Sequence, residues 1–153
     1  MPTNEINDRL NAGDLKSFDA VMAIIQNDQG EYLVLGHSKF VEEGFKAHTF
    51  PVGKVDKGDT IEGTLTKEMS EELGIEILSS VKVDEYDKQL MRNGKLIDTK
   101  LHTFKVTQYT GRIVNAEPHK HYKLIWQSID QIRENQADYL PMVIAVLNNI
   151  GEL

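Results

Sequence analysis

The chain has 153 residues, 40% of them hydrophobic and 27% charged, enough apolar material for one globular domain that buries roughly two-thirds of its unfolded surface. It has no cysteine, which excludes a disulfide framework, a thiolate nucleophile and a cysteine-ligated zinc site. The net charge of −7 argues against nonspecific nucleic-acid binding, which needs a basic face, yet leaves room for a nucleotide whose charge a divalent cation neutralises locally.

Residues 1–17 are polar, with Ile6, Leu10 and Leu15 as the apolar anchors. A short helix ending near Gly13 is expected there, either as an arm against a partner subunit or as a frayed terminus. Phe18 to Ile25 and Glu31 to Leu35 read as strands, and Asn27-Asp28-Gln29-Gly30 between them reads as a hairpin turn. Gly36 to Thr49 is a loop carrying His37, Lys39, Phe40, Phe45, Lys46 and His48. Aromatic and basic groups together there either stack on a base and meet phosphate, or pin the loop to the core. Phe45 and His48 are its substrate-binding candidates.

Gly53 to Ile75 organises the chain as a glycine-hinged loop, a helix and a stop. Asp59 or Thr60 caps the helix, and Asp59 with Glu62 has capping-box spacing. Gly74 sits where a left-handed residue ends it. Ile61, Leu65, Met69 and Leu73 recur every four residues as an apolar stripe, and Glu68, Glu71 and Glu72 fall on a neighbouring stripe. Like charges at that spacing repel. A hard cation such as Mg²⁺ or Mn²⁺ between them removes the repulsion.

Ile75 to Val83 is expected as a strand, Asp84 to Gly94 as a charged turn region with Asn93-Gly94 at its tip, and Leu96 to Tyr109 as a further strand that Gly111 to Val114 continues. Asn115 to His121 forms a second functional loop, ahead of Tyr122 to Trp126. Ser128 opens a short helix with a Ser-x-x-Gln cap, and Asp138 and Pro141 open a final one whose Met142, Ala145, Val146 and Ile150 face the core.

The Gly53–Ile75 stretch resembles the signature box of the Nudix (MutT-like) hydrolases: Gly, five residues, Glu, seven residues, then Arg-Glu-hydrophobe-x-Glu-Glu-x-Gly-hydrophobe. Gly53, Glu68, Met69, Glu71, Glu72, Gly74 and Ile75 match at the required spacing. Asp59 replaces the first Glu, Lys67 the Arg, and Val52 the Gly that usually precedes the box. The resemblance implies a single α/β domain over 1–153, an α/β/α sandwich with a mixed sheet and a catalytic loop-helix-loop.

It further implies Mg²⁺-dependent hydrolysis of a nucleoside diphosphate linked to another group, with Mn²⁺ as a substitute. Nucleoside triphosphates come first as substrates. ADP-ribose, nucleotide sugars, dinucleoside polyphosphates and capped or triphosphate RNA ends follow, and a nucleotide-binding module without turnover is the rival of another class. Glu68, Glu71, Glu72, Glu117 and the Gly53 carbonyl are the implied metal ligands, with Glu68 or Glu71 orienting water. Lys67 is in reach of Glu71 and is expected to hold a catalytic carboxylate. Lys54 and His119 are candidate phosphate contacts. No secretory pattern or membrane-spanning run is seen, so a cytoplasmic monomer or homodimer is expected.

Overall fold

The computed structural model describes residues 17–38, 47–92 and 94–153. The expected N-terminal helix and the loop positions Lys39, Phe40, Phe45 and Lys46 lie outside them. Among the described residues, seven strands form two sheets: β1 (Ser17–Ile24), β2 (Tyr32–His37), β3 (His48–Thr49), β4 (Val52–Lys54), β5 (Glu76–Arg92), β6 (Lys95–Thr110) and β7 (His121–Gln127). The helices are α1 (Ile61–Leu73), α2 (Ile129–Glu134) and α3 (Pro141–Asn149).

The larger sheet is mixed, in the order β4-β1-β6-β5, with β1 parallel to β6 and the other pairs antiparallel. The smaller, β3-β2-β7, is antiparallel. β1 is apolar without interruption from Ala20 to Ile24 because both its faces are covered, as in any strand between two helical layers. Ala20, Met22 and Ile24 join Leu101, Ile132, Val143, Val146 and Leu147 on the face under α2 and α3. Val21, Ala23 and Ile25 join Leu65, Met69, Leu73 and Phe104 on the face under α1. The expected α/β/α layering is observed.

Five local expectations are corrected. The Asn27–Gly30 turn forms, with the Asn27 Oδ1 accepting from the Gln29 and Glu31 amides at 3.1 and 2.9 Å. However, β1 and β2 do not build a hairpin ladder: β1 pairs with β4 and β6, β2 pairs with β3 and β7, and the isolated bridge Gln26↔Tyr32 links the two sheets. Asp84 to Arg92 is not a turn region; it extends β5 to 17 residues. Its polar side chains are matched across the ladder, with Gln89 Nε2 donating to Asp98 Oδ1 at 3.1 Å and Lys100 lying 3.9 Å from Asp87. Cross-strand pairing of that kind stabilises a polar strand that single-strand patterning reads as loop.

The Gly111–Val114 segment leaves the sheet, and the Val114 amide donates to the Leu73 carbonyl at 3.0 Å at the end of α1. On α3 the fully buried side chains are Val143, Val146 and Leu147, while Met142 and Ile150 pack only in part. Gln136–Asp138 forms a separate 3₁₀ turn ahead of it, so Pro141 alone stands at the helix start.

Met69 has no exposed surface in the centre of the α1 seam. Met69→Ala is expected to lower the unfolding free energy by about 2–5 kcal/mol, read from a urea or guanidinium midpoint.

Candidate functional site

α1 is built to deliver its glutamates. Thr60 is the cap that forms, one residue beyond the Asp59–Glu62 box, and its hydroxyl accepts from the Gly63 amide at 2.9 Å. Leu65, Met69 and Leu73 are buried against β1 and β6, which fixes the rotation of the helix about its axis. The adjacent stripe then points along the sheet edge at β4. Glu71 is exposed, Glu68 is half-buried and Glu72 is only 4% exposed.

Gly53 pairs with Val21 inside β4, a short strand where the sequence reads as a loop. A Cβ added at Gly53 would lie 2.3 Å from Glu68 Cδ and 2.7 Å from its Oε1. Only a residue without a side chain lets the Glu68 carboxylate rest on this strand. The glycine is required for space, not for its backbone angles.

The last turn of α1 is held by the loop that follows β6. Gly74 takes the left-handed conformation, φ 70°, and closes the helix with its amide on the Ser70 carbonyl at 3.0 Å. The Val114 and Ala116 amides then donate to the Leu73 and Glu72 carbonyls, both at 3.0 Å. These are the helix-end acceptors that have no partner inside a helix. The bonds dock residues 114–116 on α1 and bring Glu117 to the glutamates, close enough to act electrostatically on both Glu68 and Glu72.

Crowding and burial change the chemistry of these groups. In the metal-free chain, desolvation first and Glu71 second push the Glu68 carboxyl up to about 7. Desolvation, then Glu68 and Glu117, push Glu72 up to about 9. The exposed Lys120, 3.3 Å from Glu117, opposes both shifts. Glu72 Oε2 is buried without a hydrogen-bond partner.

A family model for the NUDIX domain matches residues 16–145. The chain belongs to the NUDIX family. Membership makes it a NUDIX hydrolase, and the family generally uses divalent metals. No curated protein matches the chain significantly. Among solved structures, it is similar to the MutT NUDIX hydrolase of Burkholderia pseudomallei, at 22% identity and TM-score 0.73 over 88% of this chain and 98% of that one. It is similar to the E. coli ORF135 protein at 24% identity and TM-score 0.67, over 89% and 94%. A C. elegans Ap4A hydrolase aligns at 20% identity and TM-score 0.58, over 86% and 93%. At such identities these likenesses establish the NUDIX fold.

The donor set fits the family's hard divalent cations. It offers carboxylate oxygens on one helix, one of them buried and unpartnered, and a loop carboxylate beside them. Among the described residues no three His, Asp or Glu side chains stand already converged as a cation cage.

The other sequence-derived candidates lie as follows. Lys67 does not serve Glu71: its Nζ is 3.7 Å from Asp56 Oδ2 in the loop before α1. The flexible lysine stem takes the nearer carboxylate, and of the named influences on Glu68 that of Lys67 is the smallest. Lys54 alternates with Gly53 along β4 and so points to the sheet face opposite Glu68, where its Nζ lies 5.4 Å from the centre of the Phe18 ring. His48 is 9% exposed, set edge-on to the Tyr139 ring at 5.3 Å with Tyr122 Oη 3.5 Å from its Nε2, which gives the imidazole a packing role. His119 is exposed in the turn beside Glu117. Phe45 lies outside the described residues.

Two site neighbours escaped sequence reasoning. One is Lys120; the other is His121, buried at the start of β7 with Nε2 3.6 Å from Glu72 Oε1. Burial, and next the neighbouring His37, push the His121 imidazole down to about 4, so it is neutral at pH 7. Its position as the first residue of an apolar strand was the available signal.

Two outcomes follow. Gly53→Ala should displace the Glu68 side chain and lower activity at least ~100-fold while the protein stays folded by circular dichroism, on the scale of losing one positioned electrostatic group. Because the Glu68 and Glu72 carboxyls are raised above the 4.5 of an exposed glutamate, the metal-free fold binds more protons than the unfolded chain. Its stability is therefore complete below pH 4.5 and falls as pH rises through 7 and 9. Melting temperature in a chelator should drop by several degrees from pH 7 to pH 9, and Glu72→Gln should flatten most of that drop.

Proposed function

We propose that this chain hydrolyses, with Mg²⁺, the pyrophosphate bond of a nucleoside diphosphate linked to another group, with a nucleoside triphosphate as the first substrate and a monophosphate plus pyrophosphate as products. Glu68 resting on Gly53, within electrostatic reach of Glu71, Glu72 and Glu117, carries the reading. Those carboxylates and the Gly53 carbonyl would hold the cation. Bound there, Mg²⁺ supplies positive charge against the pyrophosphate and Lewis acidity at the reacting centre.

The chain's own residues supply the rest. Glu68, resting on the Gly53 strand, or Glu71 at the rim is the carboxylate placed to orient or deprotonate the attacking water. Glu71, exposed at the rim, stands where an incoming phosphate and its water meet the cluster. Lys120 and His119, on the turn beside Glu117, are the contacts for phosphate oxygens that flank the site. Lys67 holds the loop before α1 through Asp56, so its influence on turnover is indirect. Substrate choice among triphosphates, dinucleoside polyphosphates and ADP-ribose rests with surfaces away from the carboxylates. Names among the similar structures include both MutT proteins and an Ap4A hydrolase.

A panel of nucleotides incubated with the protein and Mg²⁺, with products identified by mass spectrometry, tests the reading. A monophosphate should appear from at least one member, and Glu71→Gln and Glu72→Gln should each lower kcat at least ~100-fold. Tight binding with no product across the panel would favour a nucleotide-binding module instead. Near-normal turnover by both variants at saturating Mg²⁺ would remove the glutamates from the site.

A further inference from the structure

We propose that His121 is the positioning residue for Glu72: its Nε2–H donates to Glu72 Oε1 and leaves Oε2 as the oxygen available to a cation. The role rests on the metal site proposed above and adds a residue to it from outside the signature box.

Both side chains are 5% exposed, and Nε2 faces Oε1 at 3.6 Å, one small adjustment beyond hydrogen-bond length. Their backbones are fastened to a single loop. The Ala116 amide donates to the Glu72 carbonyl at 3.0 Å, Asn115 Nδ2 donates to the His121 carbonyl at 2.7 Å, and the His121 amide donates to the Glu117 carbonyl at 3.0 Å. The His37 ring stands edge-on to the imidazole, 5.8 Å between centres at 86°, and limits its rotation.

The tautomer follows from the surroundings. His121 Nδ1 is buried with no hydrogen-bond partner. A buried N–H without an acceptor is costly, so the proton belongs on Nε2, facing the carboxylate. Glu72 Oε2 is likewise buried and unpartnered, which is the state of a ligating oxygen whose sister oxygen is held from behind. Outer partners that orient a ligating group typically contribute 10- to 100-fold in metal affinity.

The test is a Mn²⁺ titration of the full chain without nucleotide, with free Mn²⁺ read by electron paramagnetic resonance. His121→Ala should weaken Mn²⁺ binding ~10- to 100-fold. His121→Gln, whose amide N–H reaches the place of Nε2, should recover most of the loss; His121→Asn, one methylene shorter, should not. In Mg²⁺ kinetics the same variants should raise the Mg²⁺ requirement and leave the KM for nucleotide unchanged. Wild-type affinity in His121→Ala, alongside lost binding in Glu72→Gln, would overturn the role and leave the metal site standing. Failure of His121→Gln to rescue would overturn it in favour of direct ligation by the imidazole. A wild-type chain that binds no Mn²⁺ would overturn the site and this role together.

Imidazole ¹⁵N spectra of the wild type cover the case in which the alanine variant does not fold. A protonated Nε2 that shifts on adding Mg²⁺ supports the role, and a protonated Nδ1 overturns it.

Discussion

Glu72 is buried next to Glu68 and Glu117, and among the described residues the exposed Lys120 offsets their crowding only in part. Carboxylates crowded out of water repel one another and lose hydration, and a helix alone would turn them to solvent. What keeps Glu72 inside is the apolar seam one step round the helix, where Leu65, Met69 and Leu73 are packed on β1 and β6. The hydrophobic face fixes the rotation of α1, and that rotation commits the charges to the interior. The site is therefore held in a raised-energy arrangement by contacts that have no part in its chemistry, a distribution common where function and stability compete.

The loop after β6 completes the arrangement from the other side. Its amides take up the end of α1, its carboxylate joins the cluster, and its turn leads directly into the buried imidazole at the start of β7. Helix end, loop and strand start move as one unit because each is hydrogen-bonded to the next. Burial and like charge together raise the Glu68 and Glu72 carboxyls well above the usual carboxylate range.

Much of this was legible in the sequence where spacing is rigid. The four-residue repeat of Ile61, Leu65, Met69 and Leu73, the stop at Gly74 and the match from Gly53 to Ile75 gave α1 and the carboxylate stripe, because helix geometry translates spacing into direction without outside help. Glu117, singled out in the loop ahead of Trp126, lies close enough to act on Glu68 and Glu72. The rest depended on partners distant in sequence. The polar strand from Asp84 to Arg92 becomes intelligible only opposite Asp98 and Lys100, and the split of β1 and β2 between two sheets depends on β6 and β7. Lys67 had Glu71 one turn away, yet the chain returns Asp56 to it from the preceding loop. His121 closes the Asn115–His121 loop in the sequence, and only the fold buries it.

The parallel pairing of β1 with β6 has a further consequence for how the protein is made. Ser17 is registered against Asp98 and Ile24 against Lys105, about eighty positions apart along the chain. Closing so long a loop is entropically unfavourable until many contacts reward it, and parallel pairings of this kind slow folding. The strand at the heart of both cores is therefore made about eighty residues before β6, and its apolar run from Ala20 to Ile25 lacks that partner until β6 follows. During that interval the local Asn27–Gly30 turn and the nearby β4 are its available partners, and the protection of this segment is a matter of timing on the ribosome as much as of final stability.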